Sequence, residues 1–438
     1  MPKHIQEKLP RKLGIWGLWL LAVNGLIGAG IFGLPGTAAQ LTGQYSPFIY
    51  LLCSLLIFPI VLCFAELASY YRNTGGPVRY STEAFGPLIG FEVGWLYYIS
   101  RVVAFAANSA LLLDSIGYFW DGVTYGVGRI LCLVCVCGGL TFINVIGSVQ
   151  AIRSLGILTI FKIAALFLLV LLGISQFGID IIPRFEGEIP NARNIGLAAL
   201  LLTYAYGGFE YASIPAGESK NPARDMPLAL LLAIVGVATL YLLIQIVSMA
   251  AVPDLASSTT PLLDAANALM GTTGSFFLIL GIIASVGGNL VAGMFTTPRI
   301  TYTLAIDGAL PQWFGEVNKK FLTPANSIIF FGFLAFILAI FGSFVWLAAT
   351  SVFSRVLVYM LTCAAVPKVR KQQPANKGFI LPAGYLFPVL GIGTSTWLAL
   401  QVSSESLLFT TLLILIGSGL YIVARQQQKL LKPKKLDP

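Results

Sequence analysis

The residues equipped for chemistry are few, and they sit where charge is costly. Arg101, Lys162, Glu210, Arg299 and Arg355 all lie inside long apolar runs, and Glu210 is the acid expected near mid-membrane among them. A charged side chain at the centre of a bilayer costs roughly 2.5–3.5 kcal/mol unless it is paired or faces a cavity. Two glycine-rich stretches interrupt apolar runs in the same way: Asn24-Gly-Leu-Ile-Gly-Ala-Gly-Ile-Phe-Gly-Leu-Pro-Gly36, and Thr203-Tyr-Ala-Tyr-Gly-Gly-Phe-Glu210. Glycine weakens a helix and proline removes a donor. A broken helix survives in lipid only where protein or a water-filled cavity satisfies its freed N–H and C=O groups. Such a break can hold a small charged molecule by main-chain groups alone. Close helix packing through small residues is the competing explanation. It fits less well, because Gly28, Ala29 and Gly30 are adjacent rather than four apart.

Other chemistry is poorly provided for. The chain has one histidine, His4, and no Ser/His/Asp set on neighbouring apolar segments, which argues against an enzyme. Cys132, Cys135 and Cys137 share one apolar segment without histidine or carboxylate neighbours, so they are expected to be lipid-facing or packed thiols. No metal, cofactor or disulfide framework is expected.

The elements that must position these residues follow from composition. Of 438 residues, 57% are hydrophobic and 10% charged, far from the quarter typical of soluble domains. The chain therefore reads as an all-α polytopic membrane protein. Apolar runs of about 20 residues cross a bilayer. They predict twelve transmembrane helices, over 15–39, 47–69, 87–118, 128–147, 154–175, 194–217, 227–251, 274–305, 326–343, 345–366, 383–401 and 406–424. The polar N-terminus runs into a full-length span, so no removable signal peptide is expected. With the N-terminus inside, Arg129, Arg184 and Arg193 are the basic residues left outside, while positions such as Arg72, Arg153, Lys319, Lys320, Lys368, Lys377 and the tail lysines lie inside. That bias predicts both termini in the cytoplasm, in the plasma membrane or a bacterial inner membrane. It also accounts for the net charge of +9 without a nucleic-acid partner. The basic tail is placed to touch anionic lipid. Residues 252–273 are expected to form a short surface helix, and 70–86 a re-entrant or interfacial segment.

The two breaks are related. Each lies about 13 residues into its span, the first and the sixth. An offset of five spans makes the broken helices antiparallel, the signature of a five-plus-five inverted repeat with the binding site at paired breaks. Spans 1–5 (15–175) and 6–10 (194–366) form the two repeats; 383–424 carries the last two spans between the tails 1–14 and 425–438.

Several motifs resemble one family. Ile27-Gly-Ala-Gly-Ile-Phe32, Ala65-Glu-Leu-Ala-Ser69 with Gly75-Gly-Pro77, Tyr204-Ala-Tyr-Gly-Gly-Phe-Glu210 with Gly217-Glu-Ser-Lys-Asn-Pro222, and Asp307-Gly-Ala-Leu-Pro311 with Thr323-Pro-Ala occur in order on the corresponding segments. Together they resemble the amino acid–polyamine–organocation (APC) transporters. The resemblance implies a LeuT-type fold with helices 1 and 6 broken, alternating access and an amino acid or amine substrate, in a monomer or homodimer. It implies that the backbone of Gly28, Ala29 and Gly30 holds the substrate carboxylate, and that Ile27, Tyr204, Ala205 and Gly207 accept from its amine. Tyr204 matches an outer gate, and Tyr97 an inner-gate tyrosine of arginine/agmatine antiporters.

Lys162 resembles the lysine that replaces bound sodium in sodium-independent relatives, and it is a candidate carrier of a coupling proton. Snorkelling and a neutral buried amine are the alternatives. Glu210 is either pH-linked or a structural acceptor for the unwound backbone. Arg101 and Arg355 depart from the antiporter pattern. Either Glu210 and carbonyls neutralise them, or at least one faces the cavity and meets an anion, a specificity role. Three in-span cations near one acid make a cationic substrate electrostatically unfavourable. Arg299 is expected to be an ion-pair partner near the inner membrane face. Proton-coupled symport and amine exchange both remain open. A channel or a transporter-like receptor is a remoter reading.

Overall fold

The computed structural model describes residues 14–70, 76–147, 155–183, 188–213, 219–372 and 378–431. Among them the chain is helical, with short 3-10 turns and no strand. The helices are α1 (Ile15–Leu26), α2 (Gly30–Thr42), α3 (Ser46–Tyr70), α4 (Gly76–Phe85), α5 (Pro87–Gly117) and α6 (Gly126–Val145). They continue as α7 (Leu155–Phe177), α8 (Ala192–Ala205), α9 (Glu210–Ser213), α10 (Pro222–Ala251) and α11 (Pro261–Thr296). The last are α12 (Pro298–Ile306), α13 (Ala325–Phe341), α14 (Phe344–Gln372), α15 (Leu386–Ala399) and α16 (Ser404–Leu431). Arg72, Arg153, Arg184, Lys377, Gly75, the Gly217-Glu218 start of one motif and the outer parts of both tails lie outside the described residues.

Local sequence explains many boundaries. Proline opens α5, α10, α11 and α12 in the first turn, where its missing N–H would have had no helical partner anyway. The Asn191 side chain caps α8 by accepting from the Asn194 N–H at 2.8 Å. Of residues 252–273, the stretch from Pro261 is helical as the first part of α11, set off by a kink at Gly271, whose φ of 66° suits glycine. The segment expected to be interfacial forms α4.

Eight helical stretches are long and apolar enough to cross a membrane, and α1, α13 and α15 are shorter apolar helices. The molecule is a multi-pass membrane protein by the distribution of that apolar surface. α5 is buried along nearly its whole length, whereas α6 and α16 expose most of theirs. What they expose is apolar: Val127, Leu131 and Phe142 on α6, and Leu408, Leu412 and Leu415 on α16. Such belts suit lipid and would be a liability in water. The cysteine trio follows this pattern, with Cys135 exposed and Cys137 buried beside Ser109.

One buried ion pair ties α3 to α14. Glu66, fully buried, takes Nε of Arg370 at 2.6 Å and Nη2 at 2.7 Å, and also accepts from the Leu381 N–H at 3.0 Å. The forked guanidinium matches the carboxylate on both oxygens. Glu210 is thus not the sole fully buried acid in the helical core.

At the centre, α1 packs on α9 and α10, and α2 on α8 and α11. The contacts are backbone to backbone. A Cβ at Gly25 would strike the carbonyl of Gly208, and one at Gly30 would lie 2.6 Å from Cα of Ala205. Gly25→Ala is therefore expected to destabilise the protein by about 2 kcal/mol or more. Gly236→Ala, on α10 with nothing within 4 Å, should change stability by less than about 1 kcal/mol. Thermal unfolding in detergent compares the two; equal melting temperatures would refute the close approach.

Candidate binding site at two helix breaks

The first break is short and sharply defined. Ile27 leaves the helical region at φ −78° and ψ 87°, and the Gly28 N–H turns back onto the Leu26 carbonyl at 2.9 Å. The helix restarts at Gly30, with the Phe32 and Gly33 N–H groups both on the Ala29 carbonyl. The N–H groups of Ala29, Gly30 and Ile31 have no acceptor among the described residues. They form the open, positive end of α2.

The second break runs from Tyr206 to Phe209 between α8 and α9. Gly208 adopts φ 108°, a conformation that favours glycine. Its N–H donates to Oε2 of Glu210 at 2.9 Å, so the acid caps the unwound strand of backbone. The same oxygen accepts from the Tyr359 hydroxyl at 3.2 Å. The other carboxylate oxygen lies 3.8 Å from Nε of Arg355, a charge contact without a hydrogen bond.

The carbonyl ends of both broken helices are closed by side chains. Lys162 of α7 is 1% exposed and places Nζ 3.0 Å from the Asn24 carbonyl, 2.8 Å from Asn24 Oδ1 and 2.6 Å from the Ile27 carbonyl. An ammonium has three donors, and three oxygens meet them. The carbonyl end of a helix also favours positive charge. Thr159 donates to Asn24 Oδ1 at 2.8 Å, and Ser285 of α11 donates to the Ile27 carbonyl at 3.2 Å. Tyr241 of α10 reaches both breaks. Its hydroxyl lies 2.8 Å from the Leu26 carbonyl and 3.3 Å from that of Ala205.

Between the breaks lies a narrow cleft with about 30 Å³ of free space. Gly28, Ala29 and Gly30 line it from the first break and Tyr204 and Gly207 from the second; Arg101 and Arg355 also face it. Tyr204 is held in place by its hydroxyl, which donates to Asn108 Oδ1 at 2.8 Å, and by edge-on packing against Phe344. Arg101 lies over the Tyr211 ring at 4.3 Å and has no acid within ion-pair distance among the described residues. Of the expected amine acceptors, the Ile27 carbonyl is taken by Lys162 and Ser285, that of Tyr204 by the Gly207 N–H at 3.2 Å, and that of Ala205 by Tyr241. The Gly207 carbonyl has no donor among the described residues.

Other expected residues lie elsewhere. Lys162 sits behind the first break rather than in the cleft. Tyr97 packs against Val93, Leu96 and Val358, outside the cleft lining. Arg299 makes no ion pair among the described residues; it stacks on Phe295 and donates to that residue's carbonyl. A guanidinium next to an aromatic face one turn away needs no acid to hold it.

The sequence reading passed over Tyr241, Asn108, Asn289 and Tyr211. Asn289 of α11 lies against Gly28, where a Cβ would come within 2.7 Å of its amide nitrogen. The usable signal was an uncharged polar residue inside an apolar span, a feature as informative as charge.

The site can be set beside known proteins. A profile of the family described as amino acid permease matches residues 13–417. The chain is similar to the serine/threonine exchanger SteT of Bacillus subtilis (strain 168), at 26% identity over 430 residues covering 94% of this chain and 96% of the relative. It is similar to the arginine/agmatine antiporter of Chlamydia pneumoniae, at 26% identity over 457 residues covering 97% and 92%. It is also similar to the branched-chain amino acid permease BcaP of Bacillus subtilis (strain 168), at 24% over 451 residues covering 97% and 95%. These relatives are transporters, not enzymes. With most of its length matched, the chain belongs to the amino acid permease family, within the APC superfamily.

Proposed function

We propose that this protein is a secondary active transporter that moves amino acids by alternating access, without sodium and coupled to protons. The observation that carries the reading is the seat of Lys162. Its ammonium occupies the oxygen-lined space between the end of α1 and α11, as a tethered cation would. A sodium ion placed there would meet a like charge. A movement that separates α1 from α7 takes acceptors away from the amine, and a lysine losing its partners in a dry site releases its proton. That links a proton to the conformational cycle.

In this reading the helices form twelve crossings in a LeuT-type fold. Residues 15–175 and 194–366 are inverted repeats, the breaks are their paired sites, and both termini face the cytoplasm. Ala29 and Gly30 hold the substrate carboxylate by main-chain N–H groups, while the N–H of Gly28, also expected there, is already on the Leu26 carbonyl. Tyr204 closes over the substrate, and Glu210 steadies the second break. Tyr97 belongs to the inner closure below the cleft. Exchange is the second reading, favoured by the names of two relatives, the serine/threonine exchanger and the arginine/agmatine antiporter.

Uptake into proteoliposomes tests the proposal. Accumulation of amino acid should be equal in sodium and in potassium, and should rise with an inward proton gradient. Strict dependence on sodium would overturn it. A need for amino acid inside the vesicle would favour exchange.

Lys162→Ala removes a donor from three oxygens; Thr159 and Ser285 still reach Asn24 Oδ1 and the Ile27 carbonyl, and the Asn24 carbonyl is left unsatisfied at about 1–3 kcal/mol. Its uptake should fall at least about tenfold at any proton gradient. Uptake at the wild-type rate would show that the amine does not brace the break.

Tyr241→Phe deletes the hydroxyl shared by the Leu26 and Ala205 carbonyls. The expected loss is about 1–2 kcal/mol of stability, with slower uptake and an unaltered order of substrate preference. A change in that order would move Tyr241 from the scaffold to the site.

A further inference from the structure

The cleft has a pronounced imbalance of charge and of hydrogen-bonding groups. Its lining includes two guanidiniums, Arg101 and Arg355, and no carboxylate. Glu210 offsets Arg355 from behind, fully buried and with one oxygen engaged by Gly208 and Tyr359. Arg101 has no acid within ion-pair distance among the described residues; its guanidinium rests on the Tyr211 ring, and one edge lies near Gly293. The donors are many: the free N–H groups of Ala29 and Gly30, the Arg101 fork, and the amides of Asn108 and Asn289. The Asn108 carbonyl oxygen is already used by Tyr204. Some main-chain acceptors are already used, by Lys162, Ser285, Tyr241 and the Gly207 N–H, while the Gly28 and Gly207 carbonyls of the lining have no donor among the described residues.

A ligand that fits such a wall carries more negative than positive charge. We propose that the transported substrate is an acidic amino acid, its α-carboxylate on the N–H groups of Ala29 and Gly30 and its side-chain carboxylate on Arg101. The inference rests on the transporter reading above and names the substrate class of the same cleft. Placement supports it. Asn289 borders the first break and Gly293, one turn on along α11, borders Arg101, so the N–H end of α2 and the guanidinium share one cleft. A planar guanidinium also suits a carboxylate better than the single carbonyl of a neutral amide side chain does. Cationic substrates would bring a second positive charge to an already positive wall.

Competition of unlabelled amino acids against uptake of radiolabelled glutamate by purified protein in proteoliposomes tests the proposal, together with ligand-induced shifts in melting temperature. Glutamate or aspartate should compete at least about tenfold better than glutamine, serine, leucine or arginine. Arg101→Gln should lower apparent affinity for glutamate by about ten- to a hundredfold, with a much smaller change for glutamine, so that the preference disappears. Arg101→Lys, which keeps the charge and loses the fork, should recover part of it. The melting temperatures of the unliganded variants show whether they fold; Tyr211→Phe, which keeps the ring under the guanidinium, should retain the acidic preference and covers the case in which both Arg101 variants are unstable.

Three outcomes would overturn the proposal. Neutral or cationic amino acids competing as well as glutamate is one. A uniform loss across all substrates in Arg101→Gln is another, since it would assign Arg101 to the α-carboxylate. Loss of the acidic preference in a folded Tyr211→Phe is the third. If no amino acid of any class binds or is transported, the transporter reading itself fails.

Discussion

A helix that stops inside an apolar protein leaves main-chain groups that lipid cannot satisfy. The rest of this structure is arranged around that constraint. The carbonyl end of α1 is closed by a lysine, a serine and a tyrosine from three different helices. The N–H end of α2 is left open to a cleft. The two ends are three residues apart, so the same short break is sealed on one side and available on the other. That asymmetry leaves an unpaired, positive helix end facing the cleft.

The second break completes the arrangement through contact rather than symmetry alone. Gly25 and Gly208 touch backbone to backbone, and Tyr241 stands between the ends of α1 and α8. A movement of one broken helix is thereby felt by the other. Glu210 and Tyr359 keep the unwound turn at Gly208 in place, so the flexible-looking glycine pair is held by buried hydrogen bonds. Specificity then falls to the side chains on the cleft wall, because main-chain groups cannot tell one amino acid from another.

Much of this was legible in the sequence because it concerns backbone breaks and charge. The Gly28-Ala-Gly30 and Gly207-Gly208 interruptions, and the cost of Lys162 in a span, are visible from residue type alone. Residue type does not show what the amine meets, and the fold places it on Asn24 and Ile27. What the sequence could not show depends on which helix faces which. Tyr241 looks like any tyrosine in an apolar helix until its hydroxyl is seen between two carbonyls. Asn289 and Arg101 become neighbours of the break and of the cleft only through the packing of α11 and α5. Tyr97 shares a helix with Arg101 at one-turn spacing, yet the cleft ends before it. Arg299 was expected to find an acid and instead rests on Phe295, since an aromatic face one turn away was a nearer partner. The Glu66–Arg370 pair joins residues 304 apart in sequence, beyond any local pattern.

The central claim is that the two breaks together form the substrate site. Hydrogen–deuterium exchange of the purified protein, with and without a saturating transported amino acid, tests it most directly. The amides of Ala29, Gly30 and Ile31 should exchange fast in the free protein and become protected on binding, with protection extending to Gly207 and Gly208. Binding that leaves exchange at both breaks unchanged would contradict the account.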